Sequence, residues 1–274
     1  NRVKQAFSEF IHRLPFYGLA VLCIEDQQVR ELLNDMPRHC ITYGFVAEAD
    51  VRASEIKQVA GQMHFTMHLP DGKTQEITLN LPGHHNVLNA LAAASIAWQL
   101  GVTREHIASA LQKFEGIGRR FNIKGELALR KGKALLVDDY GHHPSELAAV
   151  FAAARGGWPN KRLVVAFQPH RYSRTRDLFD EFTAVLSTVD AVVLTDVYAA
   201  GEAPIIGADA KSLARSIRAR GRLNPVVVGA AQELRKVLAD VLMDGDLLLV
   251  MGAGDIGAVC NDLAKQGLIL EQVS

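Results

Sequence analysis

The sequence has few cysteines and no net charge. Cys23, Cys40 and Cys260 lie far apart, are odd in number and form no C-x-x-C motif, which argues against a disulfide framework or a zinc site. The 30 basic residues balance 30 acidic ones, so no charge excess favours nucleic acid or membrane surfaces. No apolar run approaches the roughly 20 residues of a membrane span, and no signal-peptide pattern begins the chain. These absences predict a cytoplasmic protein in a reducing compartment that binds neither nucleic acid nor membrane.

A phosphate-binding P-loop of the form G-x-x-x-x-G-K-[ST] is also missing from the chain. The chain does not start with methionine, and its first residues are typical of the middle of a helix. We therefore expect a fragment of a longer protein. With 274 residues, 49% of them hydrophobic and 22% charged, the fragment is long enough for two globular domains.

The first part of the chain mixes α/β alternation with hairpins. Apolar spacing predicts a helix over 3–15, a strand over 18–24, a helix over 26–35 that begins after Asp26, and a strand over 40–45. Three β-type runs follow between residues 51 and 81, and the last two are joined by the turn "PDGK". A strong helix ends at Gly101, and another begins after Thr103.

The pattern changes at "GIGRRFN" (residues 116–122), where we place a domain boundary after residue 118. Beyond it, short apolar strands alternate strictly with helices up to "DLLLVMGAG". This alternation predicts a mostly parallel, doubly wound, Rossmann-like α/β sheet over 119–274. Residues 1–118 form a separate α/β domain with a hairpin-rich insert.

Three polar clusters each follow one of the predicted parallel strands: "DDYGHHP" (138–144), "QPHRYSRTRD" (168–177) and "DVYAAGEAP" (196–204). The carboxyl ends of parallel strands meet at one edge of the sheet, where ligands bind. His170, Arg171 and Arg174 suit a carboxylate or phosphate. Arginines at a helix start oppose the helix dipole, which favours an anionic ligand over the alternative, a solvated helix whose arginines pair with Asp177 and Asp180.

Two histidine pairs, His142–His143 and His84–His85, raise the question of a metal. Adjacent histidines point in different directions and no zinc-type spacing completes a site, so no metal site is predicted in this chain. We expect one histidine of the first pair to contact a ligand and the other to be structural. Asn86 and Asn89 lie three apart on a helix, and their amides suit an adenine edge, although an exposed helical asparagine commonly has no such role.

"GAGDIG" (252–257) has the G-x-G-x-x-G form of a dinucleotide site. It follows the last strand, however, and no later strand carries the acidic residue that such a site requires. The glycines are better explained by tight packing of the strand against the next helix.

Taken in order, "GHHNVLNALAA", "GIGRRF", "LVDDYGHHPSE", "FQPHRYSRTRD", "DVYAAGEAPI" and "GAGDIG" resemble the Mur ligases over essentially the whole chain. The resemblance implies the later part of the family's central ATP-binding domain (1–118) and its C-terminal, Rossmann-like amino-acid-binding domain (119–274). It is greatest to the members that join L-alanine to UDP-N-acetylmuramate, using ATP and an acyl phosphate. The P-loop, the Mg²⁺ ligands and the UDP-binding domain would precede Asn1. The implied small-molecule partners are therefore ATP, UDP-N-acetylmuramate and L-alanine. A homodimer is the protein assembly that stays open.

The resemblance also implies roles for individual residues. His85, Asn86, Asn89, Arg120 and Asp139 would bind the nucleotide. Tyr140 and His142 would line the L-alanine site, with His142 and Asp139 catalytic and His142 taking the proton of the attacking amine. The alanine carboxylate would be held by His170, Arg171 and Arg174.

The residue patterns leave three other functions open. The chain alone would be a non-catalytic module that binds a nucleotide or amino acid, or it belongs to a Mur ligase with a different amino-acid substrate. "GAGDIG" alternatively suggests an NAD-dependent oxidoreductase, which NADH would protect against heat.

Overall fold

The computed structural model describes residues 2–33 and 39–268. The chain divides into two compact units, Asn1–Glu115 and Gly116–Ser274. The sequence boundary was placed after residue 118, and the assignment of one part to ATP and the other to an amino acid stays a prediction.

The first unit is built on one five-stranded sheet in the order β1-β2-β3-β4-β5. Its elements are α1 (Arg2–His12), β1 (Ala20–Cys23), α2 (Gln27–Leu33), β2 (Cys40–Gly44), β3 (Val51–Val59), β4 (Gln62–His68), β5 (Thr74–Leu79), α3 (His84–Gln99) and α4 (Arg104–Lys113). Strands β1, β2 and β3 are parallel, whereas β3, β4 and β5 form two antiparallel hairpins. The hairpins predicted as an insert therefore continue the sheet of the parallel strands.

Local signals place the helix ends of this unit. The Asp26 carboxylate accepts hydrogen bonds from the N–H groups of Gln28 and Val29 at 2.7 and 3.1 Å, so it caps α2 as predicted. The last two residues of that predicted helix, 34 and 35, lie outside the described residues. Thr103 likewise caps α4, and Gly101 follows α3 in the left-handed region with φ 83°.

The second unit is a six-stranded sheet in the order β10-β9-β8-β11-β7-β6. Its elements are β6 (Asn122–Ala128), β7 (Lys133–Asp139), α5 (Pro144–Gly157), β8 (Leu163–Phe167), α6 (Tyr172–Asp177), α7 (Phe179–Leu186), β9 (Ala191–Leu194), α8 (Ala210–Ala219), β10 (Val226–Val227), a 3₁₀ turn (Ala231–Glu233), α9 (Leu234–Val241), β11 (Leu247–Met251) and α10 (Ile256–Gln266). All pairings are parallel except β6 with β7. The predicted doubly wound, mostly parallel sheet is confirmed.

Helices cover both faces of this sheet, because its central strands are apolar on both sides. All residues of β8 and β11 are buried. One core layer joins them to α5, α7 and α8, and the other joins them to α9 and α10. Such two-sided burial is typical of strands in doubly wound folds.

Two details differ from the sequence-based expectation. The segment 175–189 was predicted as one helix, but the structure has two, α6 and α7, with a break at Leu178 (φ −117°, ψ 27°). The edge strand β6 was not predicted at all. Its alternation is interrupted by a shift in register between Ile123 and Gly125, which obscures the period-2 pattern.

Candidate functional site

The loops that follow β7, β8, β9 and β11 lie at one edge of the second unit's sheet. These four strands are mutually parallel neighbours, so their carboxyl ends meet at that edge. All three polar clusters singled out in the sequence begin there. An additional bridge between His170 and Tyr198 joins the loops after β8 and β9 beyond the strands themselves.

Four aromatic side chains form a row across these loops. The ring centroids of Tyr140 and His142 are 5.2 Å apart, those of His142 and His170 are 5.7 Å apart, and those of His170 and Tyr198 are 5.4 Å apart. The His170 and Tyr198 rings are nearly parallel, at 14°. The structure thus brings together the predicted Tyr140, His142 and His170, and adds Tyr198, which carried no assigned role.

The two histidines of "DDYGHHP" have different surroundings. Nδ1 of His143 accepts from the Ser145 N–H at 3.4 Å and caps α5, so this histidine is structural. Nδ1 of His142 lies 3.0 Å from the Tyr140 carbonyl oxygen. A carbonyl can only accept, so the neutral ring carries its proton on Nδ1 and has its lone pair on Nε2. His142 can therefore act as a base through Nε2.

Arg174 and His170 form a pair one helical turn apart. Nη1 of Arg174 lies 3.3 Å from both Nδ1 and the carbonyl oxygen of His170. A guanidinium only donates, so His170 Nδ1 accepts and the neutral ring carries its proton on Nε2. Burial, reinforced by nearby His142 and the two arginines Arg174 and Arg171, lowers the pKa of His170.

The arginines of "QPHRYSRTRD" differ in their carboxylate partners. Arg171 lies 3.6 Å from Glu202, and Arg176 lies 2.7 Å from Asp177. Within the described part of the chain, Arg174 contacts no carboxylate. The alternative of a solvated helix with paired arginines therefore describes Arg176 but not Arg174.

Asp139 is buried, with 6% of its surface exposed. Its two carboxylate oxygens accept hydrogen bonds from the N–H groups of Phe121 and Gly141, both at 2.7 Å. Burial raises its pKa, and those two backbone hydrogen bonds oppose the rise. In this structure Asp139 fastens two loops together, and its catalytic and nucleotide-binding roles stay predictions.

The preceding residue, Asp138, belongs to a charge cluster that the sequence did not indicate. It is fully buried and lies 3.4 Å from Arg119 and 3.9 Å from Lys124. Burial raises its pKa and the two cations oppose the rise, that of Arg119 first. Among the described residues its Oδ2 has no hydrogen-bond partner.

Arg119 connects three segments of the site. Besides Asp138, it donates to the carbonyl of Gly252, and its guanidinium lies 5.0 Å from the centre of the Tyr140 ring, within cation–π distance. The family resemblance implied a nucleotide-binding role for Arg120, which is exposed. Two adjacent arginines cannot be told apart by residue type, and only the backbone direction after residue 118 decides which of them turns inward.

The residues predicted to contact adenine lie at the start of α3 in the first unit. Asn86 is buried, donates through its amide to the Pro82 carbonyl at 2.8 Å, and accepts from Asn89 at 3.4 Å. Asn89 is exposed and His85 is half-buried. Asn86 thus supports the helix start and orients Asn89, while the adenine contacts stay predictions.

The glycines of "GAGDIG" allow close packing. A Cβ on Gly252 would lie 2.8 Å from the Gln168 carbonyl oxygen, one on Gly254 would lie 2.7 Å from the Tyr198 ring, and one on Gly257 would lie 2.4 Å from the Arg119 guanidinium. Each glycine therefore makes room for a residue of the site. Close packing was expected at these glycines, but the nearest atoms belong to the loops after β8 and β9 and to Arg119, and not mainly to the helix that follows β11.

Residues 2–33 and 39–268 contain neither a candidate metal site nor a candidate membrane-spanning helix. No group of three or more His, Cys, Asp or Glu side chains there is arranged to hold a metal ion. No helix there is long and apolar enough to cross a membrane.

Two family descriptions match the chain. Residues 1–97 match "Mur ligase middle domain", and residues 119–254 match "Mur ligase, glutamate ligase domain". Together they include most of the chain and leave residues 98–118 and 255–274 outside the two matches.

Curated relatives agree with these matches. A protein of Stenotrophomonas maltophilia (strain K279a), named UDP-N-acetylmuramate--L-alanine ligase, is 64% identical over 97% of this chain and 56% of its own length. A protein of Xylella fastidiosa (strain M12) with the same name is 62% identical over 100% of this chain and 57% of its own length. The chain therefore spans just over half the length of these relatives.

Solved structures show the same fold. The crystal structure of UDP-N-acetylmuramate-alanine ligase from Thermotoga maritima has a TM-score of 0.75 and 26% identity, and the match covers 97% of this chain and 54% of the other. A MurF ligase of the same organism, solved in complex with ADP, has a TM-score of 0.70 at 17% identity, over 97% of this chain and 57% of the other. The second likeness is one of fold alone.

Proposed function

This chain belongs to the Mur ligase family, and on that premise we propose that the protein containing it joins L-alanine to the carboxylate of UDP-N-acetylmuramate with ATP. The relatives named for this reaction support the proposal, since they are 62–64% identical over nearly all of the chain. The proposed reaction belongs to peptidoglycan precursor synthesis, and we place it in the cytoplasm. A homodimer stays a prediction.

The observation that carries the proposal is the pair Arg174–His170 at the carboxyl end of β8. Their side chains are 3.3 Å apart, and among the described residues Arg174 has no carboxylate partner. A guanidinium in this state suits the carboxylate of a free amino acid. The neutral His170 ring can add a second donor through its Nε2 proton.

The chemistry proceeds in two stages. ATP transfers its γ-phosphoryl group to the muramate carboxylate, which gives an acyl phosphate and ADP. The amine of L-alanine then attacks the acyl carbon. A carbon–nitrogen bond forms, the bond from carbon to the phosphate oxygen breaks, and inorganic phosphate leaves. Fixed cations stabilise the negative charge that develops on the transferring oxygens.

The hydrogen bond of His142 supports a role for this residue in the second stage. An amino acid binds mainly as the ammonium form, which must lose a proton before its nitrogen can attack. In the neutral ring of His142 the lone pair is on Nε2, because Nδ1 faces the Tyr140 carbonyl at 3.0 Å. We therefore assign His142 as the proton acceptor and Tyr140 as a wall of the same site.

The nucleotide is assigned to His85, Asn86, Asn89, Arg120 and Asp139 by the family resemblance alone. ATP is used together with Mg²⁺ in this proposal, and no residue of this chain is assigned to the metal. The chain contains no P-loop, so we expect the 274 residues alone not to turn over ATP.

The test is amino-acid-dependent phosphate release by the full-length protein with ATP and UDP-N-acetylmuramate. L-Alanine should give turnover, and mass spectrometry should show the alanyl product. D-Glutamate is the informative competitor, because the matched C-terminal family is described as a glutamate ligase domain. Turnover with D-glutamate or another amino acid but not with L-alanine would assign the protein to a different Mur ligase reaction.

A further inference from the structure

The loop after β9 is joined to the start of α6 through its backbone. The N–H of Tyr198 donates to the Pro169 carbonyl, and the Tyr198 carbonyl accepts from the N–H of Arg171, both at 2.8 Å. The Tyr198 ring stacks on His170. The two loops therefore continue the pairing of β8 and β9, and the second of them supports the residues assigned to the amino acid.

Glu202 is the residue of this loop that reaches α6 itself. Its Oε1 accepts from the Ser173 hydroxyl at 2.6 Å, and its Oε2 accepts from the Ser173 N–H at 2.9 Å. The left-handed residues Ala200 and Gly201, at φ 49° and 85°, turn the chain so that Glu202 faces the helix. The hydrogen bonds from Ser173 lower the pKa of Glu202, which keeps it a carboxylate at neutral pH.

The start of α6 needs an external acceptor of this kind. Arg171 precedes the helix with φ 72°, and its side chain does not cap the first turn. Non-glycine residues in this region are strained and persist only when their surroundings hold them. Glu202 supplies the missing acceptor, places an anion at the positive end of the helix, and pairs with Arg171 at 3.6 Å.

We propose that Glu202 is a positioning residue for the amino-acid site, which fixes α6 through Ser173 and neutralises Arg171 so that Arg174 is the principal carboxylate ligand. This inference rests on the proposed ligation of L-alanine. It also changes the role of Arg171, which was expected from the sequence to hold the alanine carboxylate together with Arg174. In this proposal Arg171 instead pairs with Glu202 and helps to position α6.

Steady-state kinetics of the full-length protein tests the proposal, with each substrate varied in turn. In Glu202→Ala the KM for L-alanine should rise by about tenfold, the scale expected when a charge-assisted hydrogen bond that orients a ligand is lost. The KM values for ATP and UDP-N-acetylmuramate should change by less than about twofold, as for a substitution outside their sites. Glu202→Gln should recover only part of the alanine affinity, because its amide can accept from the Ser173 N–H and donate to the Ser173 hydroxyl but carries no charge to neutralise Arg171.

Asp190→Ala is the matched control. Asp190 also pairs with an arginine, Arg155 at 2.8 Å, and also accepts from a backbone N–H, that of Leu163 at 2.7 Å. It lies at the opposite end of β8, so it should leave all three KM values unchanged. If Glu202→Ala does not fold, Ser173→Ala removes the same hydroxyl contact and should raise the KM for L-alanine alone.

The outcomes separate this proposal from the one it rests on. No alanine-dependent turnover by the wild-type protein would refute the proposed function. A wild-type protein that ligates L-alanine, with a Glu202→Ala variant of unchanged alanine KM or of equally raised KM for all three substrates, would refute only the role of Glu202.

Discussion

At the scale of single residues, the arginines around the site differ in what neutralises them. Arg171 and Arg176 each have a carboxylate within 4 Å, at 3.6 and 2.7 Å, whereas the described contacts of Arg174 are to the ring and carbonyl of His170. A cation of this kind interacts most strongly with an incoming anion. The three arginines should therefore respond differently to substitution.

Arg174→Ala should weaken L-alanine binding selectively. Losing a charge-assisted partner of the carboxylate costs about 2–5 kcal/mol, so the KM for L-alanine should rise at least about tenfold, while those for ATP and UDP-N-acetylmuramate change little. Arg174→Lys should recover only part, because an ammonium lacks the planar two-point contact. Arg176→Ala is the control, since an exposed pair contributes less than about 1 kcal/mol. Equal effects on all three substrates would remove Arg174 from the amino-acid site.

His170 should titrate below its ordinary pKa of 6.5, because it is partly buried and close to His142 and to the arginines Arg174 and Arg171. Its charge is therefore absent at neutral pH. Arg174→Ala should move the pKa upward by removing one nearby cation. Ring-proton NMR over a pH series measures both values. A His170 pKa that is the same in the two proteins would contradict the close contact with Arg174.

Arg119→Met should destabilise the second unit strongly. Among the described residues it leaves the fully buried Asp138 with Lys124 at 3.9 Å as its one remaining cation, and breaking a buried pair costs about 3–5 kcal/mol. Adding Asp138→Asn should restore part of the loss by removing the buried charge. Urea unfolding measures the free energy of unfolding of the wild type and of each variant. Arg120→Met, at the exposed neighbour, should stay within about 0.5 kcal/mol of the wild type, and equal losses for the two arginines would refute the cluster.

At the scale of elements, the end of β11 is the most constrained segment of the site. Gly252 has φ 144°, and a Cβ there would lie 2.8 Å from the Gln168 carbonyl oxygen. That oxygen belongs to the backbone of the loop after β8, which cannot move without shifting His170. Close contact between two loops is a sufficient reason for glycine at this position.

Gly252→Ala should therefore lower the unfolding free energy with no nucleotide present, by about 1–3 kcal/mol of backbone strain. Gly118→Ala is the control, because a Cβ there would meet no atom within 4 Å. The midpoint of thermal unfolding is then measured for the wild type and for Gly252→Ala, with and without NADH. NADH that raises the midpoint of the wild type but not of Gly252→Ala would support the dinucleotide alternative instead.

At the scale of the whole molecule, the chain consists of two compact units that divide after Glu115. The second contains its own six-stranded sheet and both of the core layers that cover it. Its amino-terminal segment is also tied to the sheet, since Phe121 donates to Asp139 at 2.7 Å and stacks on Trp158 at 5.5 Å.

Residues 116–274 should accordingly fold alone with one cooperative thermal transition. A shorter protein that begins at Asn122 should unfold at a lower temperature, because it lacks Arg119 and Phe121. Asp138 then loses the nearer of its two cations, and Asp139 loses one of its two backbone hydrogen bonds. Differential scanning calorimetry measures the number of transitions and the unfolding temperature of each protein. A single transition found only in the 274-residue chain would mean that the second unit depends on the first.

Features that depend on near neighbours in the chain could be predicted from residue type and spacing. The helix caps Asp26 and Thr103 bond to groups two or three residues away, so residue type and spacing were enough to predict them. Strand and helix alternation likewise predicted the parallel sheet, and parallel strands necessarily bring "DDYGHHP", "QPHRYSRTRD" and "DVYAAGEAP" to one edge. The motifs also carried the family resemblance.

The contacts across that edge depend on the three-dimensional fold and could not be predicted from the sequence. β11 is the last strand in the chain but lies between β7 and β8, which brings Gly252 to Arg119 across 133 residues. Glu202 meets Ser173 across 29 residues. Leu178 divides a stretch that local periodicity predicted as one helix. Local propensities contain no information on strand order or on contacts between distant loops, because those depend on how apolar faces pack in three dimensions.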